Sequence, residues 1–196
     1  MWTVVSALKS ELSPLFNYFP VKQKIPIRGG SLYISDNLHL LRVGVGPEKA
    51  SVVFGAYLNT YQPEVVVNLG LAGALSAVCT PGRVYSVQQV VDQRTEQVLY
   101  LNCLSPEVKF PVEKILTVDR AVTDVQTRDN LYKKYATNLV DMETFHLAQI
   151  TASSDIPFYS FKIVSDMADH QAEKMFLNNY KVLSKTLCES FVPFLR

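Results

Sequence analysis

Glu64–Leu69 reads EVVVNL and runs directly into Gly70–Leu75, GLAGAL. Successive β-branched valines with no polar alternation mark a strand buried on both faces, as in a parallel sheet with helices above and below. Gln62-Pro63 ends the element before it, a helix expected over Glu48–Tyr61 with Pro47 at its first position after Gly46. The glycine-containing stretch Gly70–Leu75 is expected to be a turn. Working outward, Thr3–Ala7 is a first strand, followed by a helical segment from about Ser10 to Tyr18. Ser31–Ser35 and His39–Val45 flank the turn-forming pair Asp36-Asn37 and read as a hairpin. Further strands are expected at Arg83–Val91, Lys114–Val118, Leu139–Asp141 and Pro157–Val164 (PFYSFKIV), with helices at Thr127–Tyr135 and Glu143–Ser153. Asp92–Glu113 carries no clear period. In the tail, Phe176, Tyr180, Leu183, Leu187, Phe191 and Leu195 recur at spacings of 3 or 4, the pattern of an amphipathic helix packed on a sheet. Strands alternating with helices predict an α/β fold, a mixed sheet with helices on both faces. Strand order does not follow from this pattern.

A length of 196 residues suits one domain, here taken as 1–196, and buries enough surface to fold without a metal or disulfide staple. Charged residues make up 19% against a usual share of about 25%, which argues against disorder and for some surface being covered by another subunit. Nineteen Lys and Arg against eighteen Asp and Glu leave no basic excess to neutralise a phosphate backbone, so nucleic acid is not an expected partner. Cys79, Cys103 and Cys188 form no CxxC and leave one unpaired, as suits a reducing cytosol. MWTVVSALKSEL lacks a basic n-region and a long apolar core, so no signal peptide is expected. No apolar run is long enough to span a bilayer, and the expected localisation is cytoplasmic.

Several motifs fail on inspection. Gly44-Val45-Gly46 sits between a strand and a helix, yet Lys49 stands where G-x-G-x-x-G requires its third glycine. His39, His146 and His170 show no metal-ligand spacing, so no metal is expected. No G-x-S-x-G elbow is present. What remains is a set of acids at strand-to-helix junctions: Glu11 beyond the first strand, Asp141 and Glu143 around the short strand at 139–141, and Asp166 and Asp169 after the last. Ligands of open α/β sheets bind outside the carboxyl ends of strands, where these acids would converge. Singly, each also suits a helix cap or dipole, and spacing alone names no reaction.

The ordered segments VSALKSE (Val5–Glu11), VGVG (Val43–Gly46), VNLGLAGA (Val67–Ala74), PGRV (Pro81–Val84), LVDMET (Leu139–Thr144) and IVSDMAD (Ile163–Asp169) resemble the nucleoside phosphorylase and nucleosidase superfamily. The similarity is closest to the methylthioadenosine/S-adenosylhomocysteine nucleosidases and the futalosine hydrolases. The resemblance implies a three-layer α/β/α sandwich around a twisted mixed sheet, no cofactor, a small purine nucleoside as partner and a homodimer. By the same resemblance, Glu11 polarises the attacking water, Glu143 binds ribose hydroxyls, and Met142 lies against the sugar. Asp166 protonates N7 of a purine leaving group, and Ser165 orients its loop. Gly70 and Leu71 border the substrate, and Ala121 and Val122 lie beside the base.

Departures from the family pattern separate the possible reactions. Phosphorylases of that superfamily hold phosphate with an arginine and a serine where Asn68 and Leu71 stand here, which favours water as nucleophile. Lys162 replaces the arginine usual before the Ser-Asp motif, keeping the charge at the substrate and losing the bidentate fork. The 22 residues between Val91 and Lys114 are fewer than relatives carry there, where a longer excursion helps enclose substrate. The expected function is hydrolysis of a purine nucleoside, the alternatives being a phosphorylase or a non-catalytic nucleoside-binding relative.

Overall fold

The structure is a computed structural model that describes residues 1–103 and 110–195. In chain order its strands are β1 (Trp2–Ser6), β2 (Gln23–Ile27), β3 (Gly30–Ile34), β4 (Leu38–Arg42), β5 (Val65–Ala74), β6 (Val84–Asp92), β7 (Val98–Tyr100), β8 (Val112–Thr117), β9 (Leu139–Asp141) and β10 (Phe158–Asp166). The helices are α1 (Lys9–Leu12), α2 (Pro47–Leu58), α3 (Val125–Tyr135), α4 (Thr144–Ala152) and α5 (Ala172–Phe191). Short 3-10 turns follow α1 at Ser13–Asn17 and α5 at Val192–Phe194. The helix expected up to Tyr18 therefore changes type after Leu12, where Pro14 cannot supply an i−4 hydrogen bond. Among the described residues no helix is long and apolar enough to cross a membrane.

All the strands join one mixed sheet with helices on both faces, as the alternation of elements predicts. Adjacent residues of a strand point to opposite faces, and the core divides accordingly. Val5, Leu41 and Val66 face α2 and α4, packing with Phe54, Tyr57, Phe145 and Leu147. Val4, Leu40 and Val67 face α1 and α5, packing with Leu12, Leu15, Leu187 and Phe191. A third cluster, built on Leu116, Val118 and Val140, receives Leu131 of α3.

The pairing order β2-β3-β4-β1-β5 leads from one edge to the central strand. There the sheet forks. One edge of β5 pairs in parallel with β1 along Val65–Asn68 and then antiparallel with β9 at Gly73 and Ala74. Its other edge pairs with β10 throughout, and β10, β6, β8 and β9 close a ring of five strands back onto β5. This closure is the part of the topology that periodicity does not announce.

β5 thus extends through the stretch expected to be a turn. Gly70 and Gly73 permit this by being small: a Cβ at Gly70 would lie 3.1 Å from Lys162 Nζ, and one at Gly73 would lie 3.1 Å from Val140 Cγ1. β10 likewise runs two residues past its expected end, to Asp166, through an irregularity between Val164 and Asp166 that makes Ser165 the extra residue against β5. β2 has no counterpart in the sequence reading. It is a largely exposed strand pairing only with β3, the position in a sheet where Pro26 is tolerated. Part of the Asp92–Glu113 stretch, residues 104–109, lies outside the described residues; Val98–Tyr100 of that stretch pairs with β6.

Asn68, the last β5 residue paired with β1, ties the fork together. Its Nδ2 donates to Val5 O at 3.1 Å, and its Oδ1 accepts from Ser160 Oγ at 3.0 Å and lies 3.1 Å from Thr144 Oγ1, whose proton serves Asp141. Truncating it strands a buried donor and an acceptor at once. Asn68→Ala is expected to lower unfolding free energy by about 3 kcal/mol, read from the urea midpoint; an unchanged midpoint contradicts this assignment.

Candidate active site

A cavity of about 530 Å³ opens where β1, β5, β9 and β10 end, beside the fork. Glu11 reaches it from α1. Its Oε2 accepts the N–H of Leu8 at 2.7 Å, a reach back to the residue preceding the helix, and its Oε1 accepts the N–H of Leu71 at 3.0 Å. Leu71 lies in the part of β5 between its β1 and β9 partners, so this amide has no strand partner on that edge. Burial pushes the Glu11 carboxyl above its ordinary range, against the pull of these two hydrogen bonds and of Lys162.

Glu143 and Met142 enter from the β9–α4 junction. Glu143 Oε1 accepts the Gly46 N–H at 2.7 Å, across 97 positions of sequence. Gly46 has φ +96°, a conformation that favours glycine, and it begins α2. The amide that a dinucleotide phosphate would need at this helix start is therefore already taken by a carboxylate. Burial, helped by the negative charge of Asp141, pushes the Glu143 carboxyl up to about 8.

Asp166 owes its direction to the irregular end of β10. A bulge re-aims the side chain that follows it, and here Asp166 Oδ2 lies 2.6 Å from Ser165 Oγ while Oδ1 accepts the Ala168 N–H at 2.9 Å. The Ser165 hydroxyl is also within reach of Ala72 O, at 3.2 Å. Burial raises the Asp166 carboxyl, with Asp169 adding to the effect.

Glu11, Leu71, Ala121, Val122, Met142, Glu143, Ser165 and Asp166 all line this one cavity. Gly70 and Lys162, expected at the substrate, do not. Lys162 is 2% exposed; its Nζ approaches the same face of Gly70 as Glu11 Oε1 and pairs with Asp141 Oδ2 at 2.9 Å. Asp141 is further held by Thr117 Oγ1 at 2.8 Å and by the Thr144 backbone N–H at 3.1 Å. The reason for this placement is electrostatic: a buried ammonium needs a buried partner, and Asp141, its side chain 1% exposed, is one.

Ala121, Val122 and Val118 form an apolar wall after β8. The sequence reading passed over Val45 and the first turns of α5, where Glu173 and Phe176 also line the cavity. Phe176 was visible only as a packing residue of the amphipathic pattern, and Glu173 carried no signal. Among the described residues, no lysine, arginine or histidine lines the cavity. Chemically, the arrangement offers buried carboxyls around an apolar pocket, with no cation among the described lining residues for a bound anion.

A family model described as the phosphorylase superfamily matches residues 96–196, just over half of the chain. The chain belongs to that superfamily. Over 212 aligned positions this superfamily member is 24% identical to a 5′-methylthioadenosine/S-adenosylhomocysteine nucleosidase of Buchnera aphidicola subsp. Baizongia pistaciae (strain Bp), with 89% of this chain and 82% of the relative covered. Among solved structures it is similar to the nucleosidase of that name from Neisseria meningitidis in complex with methylthio-immucillin-A, with TM-score 0.90, 19% identity, and 99% and 97% of the two chains covered. It is similar also to native futalosine hydrolase of Helicobacter pylori strain 26695, with TM-score 0.89, 15% identity, and 99% and 96% covered. At these identities the structural likeness is one of fold.

The raised Glu143 carboxyl has a consequence for stability. Its value lies near 8 in the folded chain against an ordinary 4.5. Between those values the folded chain holds a proton that the unfolded chain has lost. The group's contribution to stability is therefore complete below pH 4.5 and is lost as pH rises through 8. Glu143→Gln keeps an oxygen for the Gly46 N–H and carries no titrating proton. Its melting temperature relative to the parent is expected to rise steadily from pH 5 to pH 8.5; parallel curves for the two proteins contradict the buried, proton-holding state.

Proposed function

We propose that this chain is a purine nucleosidase that hydrolyses the N-glycosidic bond of a methylthioadenosine-, S-adenosylhomocysteine- or futalosine-like nucleoside with water as the nucleophile. The observation that carries the reading is the convergence of Glu11, Glu143 and Asp166 on one cavity whose described lining contains no cation. Membership in the phosphorylase superfamily and the nucleosidase names of the relatives support it.

Breaking the bond between C1′ and the base nitrogen leaves positive charge on the sugar and negative charge on the base, as in other glycoside hydrolyses. On the base side, Asp166 is the candidate acid for the purine N7. Burial raises its carboxyl, the direction an acid that donates to the base requires, and Ser165 and Ala168 fix its orientation. On the sugar side, Glu143 faces the ribose hydroxyls with Met142 against the ring. Glu11 uses two of its roughly four acceptor positions on Leu8 and Leu71. The others are free to accept from a water and align it for attack.

Phosphate has no comparable place. Asn68 is spent on Val5 and Ser160, Leu71 is apolar, and Lys162 is paired with Asp141. Developing positive charge on the sugar, by contrast, meets carboxyl groups and no cation among the described lining residues. The reading extends to a cytoplasmic homodimer: Val45, at the cavity, is 44% exposed, and Leu177, which follows Phe176 in α5, is 59% exposed. Both are apolar, and the chain as a whole is poor in charge.

The test is a base-release assay on adenosine, methylthioadenosine, inosine and futalosine with and without phosphate, alongside sedimentation of the parent protein. Release independent of phosphate is expected, from a species of twice the chain mass. Asp166→Asn is expected to lose about 10²–10⁴-fold in rate with little change in melting temperature. Phosphate-dependent formation of ribose 1-phosphate, or near-parent activity in Asp166→Asn, overturns the mechanism.

A further inference from the structure

The cavity has an inner and an outer part. Glu11, Glu143 and Asp166 are each less than 9% exposed and form the inner part. The outer part includes the first turns of α5, where Ala172, Glu173 and Phe176 fall on one helix face and all line the cavity. Glu173 is exposed and Phe176 half-buried, so this side meets solvent.

Glu173 differs from the other acids of the cavity. Asp141 is neutralised by Lys162. Glu11, Glu143 and Asp166 are each held by backbone amides and pushed upward by burial. The Glu173 side chain forms no hydrogen bond or ion pair among the described residues. Its neighbours His170 and Lys174 do not line the cavity, and neither does any other basic residue among those described.

The inner acids account for the base, the ribose hydroxyls and the water. The substituent on C5′ is neither cleaved nor held by them, so it is the part of a bound nucleoside that runs toward α5. We infer that Glu173 selects substrates by the charge of that substituent, accepting purine nucleosides whose C5′ tail is uncharged or carries an ammonium group and refusing those with an anionic tail. The inference rests on the nucleosidase reading and narrows it: a methylthio tail is accepted, whereas a futalosine-like tail, which ends in a carboxylate, is refused.

The physical basis is simple repulsion with no cation to relieve it. At an effective dielectric constant of about 20, unit charges several ångströms apart interact strongly enough to change affinity on the order of tenfold. The effect is screened by salt over about 8 Å. An ammonium group gains in the same place, from the carboxylate and from the face of Phe176 one turn further along the helix.

The experiment compares three adenosine analogues: 5′-methylthio (uncharged), 5′-amino-5′-deoxy (cationic) and 5′-monophosphate (anionic). Their kcat/KM values are measured for the parent, Glu173→Gln and Glu173→Lys at low and high salt. The parent is expected to prefer the first two. Glu173→Lys is expected to raise the anionic-to-uncharged ratio by about tenfold or more, with Glu173→Gln between, and high salt is expected to compress the differences. A ratio that Glu173→Lys moves by less than about twofold overturns the inference. Absence of base release from every analogue overturns the nucleosidase reading instead. In that case titration calorimetry with the same compounds decides the charge selection: an altered Kd ratio supports it, and an unaltered ratio or no binding refutes it.

Discussion

The structure depends on a strand that changes partners. β5 lies beside β1 over Val65–Asn68 and beside β9 at Gly73 and Ala74, and a buried strand cannot leave the groups between them bare. Ser6 Oγ donates to Leu69 O at 2.6 Å, and Glu11 accepts the N–H of Leu71. Glu11 is thus required by the sheet before it is available to any substrate. Its position at the third residue of α1, braced by the Leu8 amide, delivers an acceptor to the gap in the ladder. The site lies beside the fork because the fork is where the sheet needs side chains in place of backbone.

Burying several acids together demands compensation, and the molecule provides it unevenly. Asp141 receives an ammonium, two hydroxyls and a backbone amide, which satisfy a full negative charge. Glu143 receives one amide and Glu11 two, and neither is left with a dedicated cation. Lys162, the one lysine buried among the described residues, therefore serves Asp141, and the acids facing the cavity are left short of stabilisation. A pocket in that condition favours a species that brings its own positive charge. That is the electrostatic pre-organisation expected where a sugar becomes cationic.

The acids at strand-to-helix junctions were legible because such junctions lie at the carboxyl ends of strands whatever the strand order. Glu11, Glu143 and Asp166 do meet. Gly70 and Lys162, expected at the substrate, do not line the cavity, and sequence proximity to a motif does not reveal which way a strand residue faces. Lys162 and Ile163 are adjacent, yet one pairs with Asp141 and the other packs toward α5. Gly70–Leu75 resembled a turn since glycine signals turns more often than close packing. Its true role shows only once Lys162 Nζ and Val140 are seen against the missing side chains. The direction of Asp166 depends on one extra residue at Ser165, which no periodicity encodes. Glu173 escaped notice since an isolated acid in the first turn of a helix is ordinary.

The ring of β5, β10, β6, β8 and β9 bears on how a ligand enters. A closed set of strands has no free edge to peel away, so Leu71, Met142 and Asp166, carried by or directly after its members, cannot separate without breaking a ladder. Distances among the inner groups are thereby insulated from motions elsewhere. The lining residues outside the ring's strands lie at the margin, in the segment through Val45, in the segment from Val118 to Thr123 and in α5. The protein separates the part that must be accurate from the part that must adapt, and the boundary between them is drawn by strand pairing.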